Sequence, residues 1–139
     1  MKKNSRTHRG LSDAQRQSAI RLQRLLEYTG KEMGRSTPLR LVQLLALVEL
    51  SDDSSMMDLA LDVDAFPSTT SRDLLRLGAE DRNGNKGYEM VWQRPHPLHP
   101  MRNEYGITEK GRRFLDGLTA HLEGPVDQGE QGQGDTADR

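Results

Sequence analysis

The sequence predicts a mainly α-helical fold carrying a small two- or three-stranded β-wing. Three observations lead there. Apolar residues recur at helical spacing through most of residues 12–77. Within that region, residues 55–77 read as two short helices joined by a tight turn, and the second opens with Pro67, Ser68, Thr69, Thr70, Ser71 and Arg72. After residue 87 the period changes to strand-like alternation, and helical spacing resumes at Thr108.

A chain of 139 residues, 33% of them hydrophobic, has room for one compact core of about 100–110 residues. The expected organisation is a flexible basic arm at 1–11, one folded domain at 12–122 and a disordered acidic tail at 123–139. The longest uninterrupted apolar run, Leu44 to Val48, is far short of the roughly 20 residues of a membrane span. The basic start has no apolar signal region, so no membrane partner is expected and the cytoplasm is the expected location. Absence of Cys excludes a thiol nucleophile, thiol redox sensing and Cys-bound zinc. No Ser/His/Asp arrangement, Gly-rich phosphate loop or metal cluster stands at usable spacing, so neither enzymatic activity nor a cofactor is expected. The formal net charge of −1 is segregated into +6 over residues 1–35, −5 over 36–66, +3 over 67–113 and −5 over 114–139. Basic residues thus gather where a phosphate-facing surface would need them, although ordinary solvated faces would look the same.

Taken in order, residues 1–11 carry basic side chains and no apolar pattern; such an arm either lies along a nucleic-acid backbone or is simply a disordered start. Ser12 and Asp13 are cap residues for a first helix with the stripe Leu22, Leu25, Leu26, Thr29 and Met33, ending near Gly34. Arg16, Arg21, Arg24 and Lys31 occupy its other face. The stripe suits a partner subunit or the chain's own core. Ser36 and Thr37 before Pro38 predict a second helix start. From Leu39 to Leu50 nearly every position is apolar, which predicts a helix buried all round.

Ser55 and Asp58 form a capping signature for a third helix, with Met57, Ala60, Leu61 and Val63 placed to face inward. Asp64 to Phe66 supply the turn, and Pro67 begins a fourth helix whose core face is Thr70, Leu74 and Leu77. Asp81 to Gly87 is a turn-rich loop. Tyr88, Met90 and Trp92 alternate with Glu89, Val91 and Gln93 as a strand with one apolar face, and Glu104 to Ile107 is its return strand. Between them, Arg94 to Asn103 contains three prolines and cannot be helical. Thr108 caps a last helix with the stripe Phe114, Leu115, Leu118 and Leu122.

The chemistry of these elements points to nucleic acid. The outer face of the fourth helix bears Ser68, Thr69, Ser71, Arg72 and Arg76. Arg forms bidentate bonds to guanine edges, Ser and Thr bond bases or phosphates, and a helix N-terminus favours a phosphate. A solvated amphipathic helix is the plain alternative. The hairpin that follows would protrude as a wing, with Arg94 and Arg102, assisted by His96 and His99, reaching phosphates or a minor groove. His96 and His99 also resemble half a metal site, but two ligands without Cys or a matching acid make a poor one, and no metal is expected.

Two strings resemble the MarR-type winged helix-turn-helix regulators. One is Asp58-Leu-Ala followed by Pro67-Ser-Thr-Thr-Ser-Arg72-Asp-Leu-Leu-Arg-Leu77, similar to the family's recognition helix. The other is Tyr105-Gly-Ile-Thr-Glu-Lys-Gly-Arg-Arg-Phe-Leu115, similar to the segment in which its wing returns into the C-terminal helix. The layout covers roughly residues 12–122. Phe66 stands where the family often has Ser or Thr, and the wing has no clear Asp-x-Arg pair. The resemblance implies a winged helix-turn-helix with N- and C-terminal dimerisation helices. It implies a homodimeric transcriptional regulator, a repressor by expectation, on a pseudo-palindromic double-stranded DNA operator; a small-molecule effector would be an addition. A winged-helix protein–protein interaction module in a replication or phage assembly is the alternative, which the modest overall charge keeps open.

Overall fold

The structure, a computed structural model, describes residues 12–124. The expected basic arm at 1–11 and the tail beyond residue 124 lie outside the described residues. Among these residues the order is α1 (Asp13–Met33), α2 (Leu39–Leu50), α3 (Met56–Val63), α4 (Pro67–Leu77), β1 (Val91–Pro95), β2 (Asn103–Ile107) and α5 (Glu109–Glu123). No helix of the described residues is long and apolar enough to cross a membrane. The chain divides into two compact units: residues 30–116 form one, and the residues on either side form the other.

In the unit formed by the two ends, α1 begins with a reciprocal cap. The Gln15 amide donates to Ser12 Oγ at 3.1 Å while the Ser12 amide donates to Gln15 Oε1 at 2.9 Å. Near the end of α5, Arg24 Nη1 donates to the Gly124 and Leu122 carbonyls at 2.8 and 3.4 Å, satisfying oxygens that the helix leaves without partners. Of the expected α1 stripe, Thr29 is buried, whereas Leu22 and Leu26 remain more than half exposed; Met33, on the part of α1 that belongs to the central unit, is buried as well.

In the central unit, α2 packs on α3, α4 and β2. Leu41, Leu44, Leu45 and Val48 are its buried face. The expectation of burial all round is corrected here: Leu39, Gln43, Ala46 and Leu50 share one stripe of the helix and are exposed, because those three neighbours cover only its other side. Pro38 itself is the N-cap residue, and no side chain caps this helix. Thr37 is drawn elsewhere. Its hydroxyl donates to the Met33 carbonyl, so the Tyr88 hydroxyl donates to it, both at 2.7 Å.

Helix α3 has the expected capping box between Ser55 and Asp58. It ends at Asp64, which adopts the left-handed conformation with φ 55°. Leu59 and Ala60 are its buried residues, and Met57 and Leu61, expected to face inward, are exposed. In so short a helix, a one-residue error in phase is a rotation of about 100° and exchanges Leu61 for Leu59. Helix α4 buries Thr70, Leu74 and Leu77 as expected, and with them Asp73.

The strand begins later than its alternation suggested. The amides of Tyr88, Glu89 and Met90 donate to the carbonyls of Arg76, Gly78 and Leu77, tying residues 88–90 to the end of α4 instead of to a strand. Glu89 takes φ 62°, and this turn of the backbone shifts the alternation so that Met90 and Val91 are both buried. Strands β1 and β2 pair antiparallel, with Trp92 opposite Gly106 and Arg94 opposite Glu104. The wing sheet has two strands, and Glu80 and Lys86 make only an isolated bridge. In that loop the Asp81 carboxylate accepts the Asn85 and Asn83 amides at 2.9 and 2.8 Å. The Asn85 amide chiefly holds its carboxyl below the ordinary range, against desolvation.

Thr108 joins the wing to α5. Its hydroxyl donates to the Glu89 carbonyl at 2.7 Å and accepts from the Gly111 amide at 3.0 Å. Gly111 is required by close approach, since a Cβ there would stand 2.5 Å from the Met90 carbonyl oxygen and 2.7 Å from Ile107 Cγ2. Substitution Gly111→Ala is therefore expected to cost about 1–3 kcal/mol of stability in urea denaturation. The exposed neighbour substitution Arg112→Ala should stay within about 0.5 kcal/mol of the parent chain.

Candidate nucleic-acid interface

Helix α4 is held from behind. Asp73 is 3% exposed, and its carboxylate accepts from Arg40 Nε at 2.7 Å and Nη2 at 3.4 Å. This fork ties α4 to the start of α2, beside the apolar contacts of Leu74 and Leu77. With that face fixed, Ser68, Ser71 and Arg72 are exposed on the other side and Thr69 is half-buried. Phe66 occupies the N-cap position and supplies no side-chain hydrogen bond, so the first amides of α4 keep their capacity to meet an anion. Arg72 lies back along the helix, its Nε donating to the Ser68 carbonyl at 3.3 Å. Arg76, one turn further on, is half-buried and shares the opening around Asp81 and Lys86. It stands with that loop, not with the polar front of the helix.

The wing charges are largely committed to internal partners. Trp92 lies across Gly106, where any Cβ would collide with its indole. The Arg94 guanidinium sits 4.4 Å from the centre of a Trp92 ring and also pairs with Glu104 across the hairpin. Arg94 nevertheless keeps 65% of its side chain exposed. At the tip, Arg102 Nη2 donates to Asp53 Oδ1 at 2.8 Å and to the Asp53 carbonyl at 3.1 Å. Asp53 belongs to the loop between α2 and α3, so the acidic partner of the tip Arg comes from far upstream.

His96 departs most from its expected placement. It is 7% exposed, turned away from solvent rather than outward as an assisting contact. Its Nδ1 accepts the Leu98 and His99 amides at 3.0 and 3.2 Å, and its Nε2 lies 3.0 Å from Asp53 Oδ1. Both amides are obligate donors, so Nδ1 carries the lone pair, and the ring proton on Nε2 donates to Asp53. Neither nitrogen is left for a metal ion, and among the described residues no group of three His, Asp or Glu side chains is placed to hold one. His99 remains exposed, its ring centre 5.0 Å from that of His96. Leu98 and Met101, which carried no expectation, are exposed at the tip.

Between α4 and the wing lies a cleft of about 450 Å³, lined in part by Met57, Ser71, Leu75, Met101, Arg102 and Tyr105. Burial pushes the Tyr105 phenol up. Desolvation acts to raise the Asp53 carboxyl, but the His96 hydrogen bond and the Arg102 charge outweigh it and hold the carboxyl below its ordinary range.

Sequence reasoning missed Asp53, Asp73, Arg40 and Glu104. An acid on the core face of α4, between Thr70 and Leu74, was the one legible sign of a buried pair. Asp53 carries no such sign.

No protein-family model and no curated protein matches the chain. Solved structures do, and they share the MarR-type winged helix-turn-helix fold. The S. aureus MepR–DNA complex is similar at 15% identity, TM-score 0.60, over 82% of this chain and 84% of that one. RV1404 from Mycobacterium tuberculosis is similar at 20% identity, TM-score 0.59, over 76% of this chain and 65% of that one. The apo form of MarR from E. coli is similar at 14% identity, TM-score 0.55, over 80% of this chain and 74% of that one. At these identities the likeness is one of fold.

Asp53 yields a titration test. Its tie to the wing tip is complete above the ordinary Asp value of 3.8 and is lost as pH falls through the lower value in the folded chain. Carboxyl carbon NMR should place the Asp53 midpoint below 3.8. In Arg102→Ala it should move up.

Proposed function

We propose that this chain is a sequence-specific, double-stranded DNA-binding transcriptional regulator that acts as a homodimer, with α4 in the major groove and the wing on the backbone or minor groove. The observation that carries the reading is the polar front of α4: Ser68, Ser71 and Arg72 are exposed beside amides that no side chain caps, in the same unit as a hairpin bearing an exposed Arg94. That combination is suited to phosphates and base edges together. The shared fold adds support, because one structure of that fold was solved as a complex with DNA.

Within this reading, Ser68, Ser71 and Arg72 read or clamp the major groove, with Thr69 at the margin and Arg76 near the flanking backbone. Arg94, Arg102 and exposed His99 serve the wing contact. The inward-turned His96 serves it only indirectly. Exposed Leu22 and Leu26, one turn apart on α1, suit a second copy of the chain, which a pseudo-palindromic operator would require. Repression follows if the operator overlaps a promoter.

Selection from random duplex DNA is the direct test, followed by a salt titration on the enriched duplex. Enrichment of a two-fold-related motif is expected, with affinity falling steeply as salt rises. Arg72→Ala should lower discrimination by about 1–3 kcal/mol, roughly 5- to 150-fold. Unchanged affinity of Arg72→Ala at moderate salt would remove α4 from the interface. Replacing Leu22 and Leu26 together by Glu should convert a dimer to a monomer in sedimentation; an unchanged mass would relocate the dimer contact.

A further inference from the structure

The wing tip is held by a cluster that its own sequence does not contain. Two groups converge on Asp53 through three hydrogen bonds: Nε2 of His96 at 3.0 Å and Nη2 of Arg102 at 2.8 Å meet the same carboxylate oxygen, and that Nη2 also lies 3.1 Å from the Asp53 carbonyl. His96 simultaneously gathers the Leu98 and His99 amides on Nδ1, and its own amide donates to the Arg102 carbonyl at 2.9 Å. The loop from His96 to Arg102 is therefore closed on itself and hooked to the loop that precedes α3. Arg102 also lines the cleft beside Ser71 and Leu75 of α4.

From this arrangement we propose that Asp53 and His96 are positioning residues for recognition. They fix the reach of the wing tip relative to α3 and α4, and they aim the Arg102 guanidinium. The inference rests on the DNA-binding reading and deepens it: the accuracy of the wing contact is set by a carboxylate outside the wing.

The chemistry favours positioning over direct contact. A carboxylate facing a phosphate would repel it, whereas one that spends its charge on Arg102 and His96 orients a cation instead. His96 is too buried to reach a groove, and both its nitrogens are occupied. Without the cluster, nothing would hook the loop from His96 to Arg102 to Asp53, and a contact held loosely by even an ångström loses specificity.

Substitution of His96 tests this well, because an uncharged ring is replaced without altering the charge that meets DNA. With full-length protein and the duplex enriched by random selection, His96→Ala is expected to weaken binding about tenfold. Binding to a scrambled duplex should change less than about twofold, with the same salt slope. The loss should concentrate at base pairs flanking those under α4. His96→Gln, which retains a donor toward Asp53, should recover part of it. In an Arg102→Ala background, His96→Ala should add less than about twofold, because the two act through one contact. Amide exchange supplies a readout independent of DNA: Leu98 and His99 should exchange faster in His96→Ala, while Leu44 and Leu45 keep their protection.

Should His96→Ala fail to fold, Asp53→Asn, at an exposed loop position, takes its place with the same expected loss of discrimination. Equal affinity of His96→Ala and wild type for the enriched duplex would overturn the positioning role alone, as would parallel losses on enriched and scrambled DNA. Failure of the wild-type chain to enrich any duplex would overturn the DNA-binding reading and this inference with it.

Discussion

Helix α4 has to be buried on one side and presented on the other within 11 residues, and the rest of the central unit is arranged around that demand. Its inner face combines apolar burial at Leu74 and Leu77 with a buried carboxylate, Asp73, that would be costly without the Arg40 fork. Burial gives the helix depth but tolerates rotation. The fork removes that freedom, because a bidentate pair is satisfied only at one angle. Rotation is what matters for the outer face: 100° or so would exchange Arg72 for a core position. The carboxyl end of α4 is fastened as well, by the amides of residues 88–90. This helix and the wing are consequently joined by backbone bonds rather than by a free linker.

The wing follows a different logic. Its cations were expected to be free for phosphates, yet Arg94 is shared between Glu104 and the Trp92 indole and Arg102 between two atoms of Asp53. Pairing of this kind lowers the net charge of the hairpin and trades general attraction for orientation. The modest charge of the whole chain, −1, fits the same pattern. Binding through such a surface depends more on shape and register than a uniformly basic surface would. Leu98 and Met101 add exposed apolar surface at the tip itself.

The unit formed by the chain ends has the features of a surface awaiting its complement. Its α1 stripe is only partly covered, with Leu22 and Leu26 exposed, while polar ties such as Arg24 to the Gly124 carbonyl close the end of α5. Apolar residues at helical spacing specify that a face must be covered, not by what. Association with a second copy of the chain is one solution to that requirement.

Local chemistry was legible in the sequence. The Ser55/Asp58 cap, the Pro67 start of α4, the Thr70/Leu74/Leu77 face, the return strand and the Thr108 cap each depend on residues within a turn or two of one another, and the structure places them as read. Expectations failed where the deciding partner was distant. The phase of α3 was settled by which side meets α2, so Leu59 went inward and Leu61 outward. The strand start moved to Val91 because residues 88–90 found partners at the end of α4. His96 turned inward because a carboxylate 43 positions earlier was there to accept a hydrogen bond from its Nε2. The sequence by itself determined the helices, the caps at Ser12, Ser55 and Thr108 and the polar front of α4, since these follow from periodicity and short-range hydrogen bonding. Only the tertiary structure decided which charges stay free, because a charge is spent on whichever opposite charge the fold brings within hydrogen-bonding distance, and sequence separation says nothing about that.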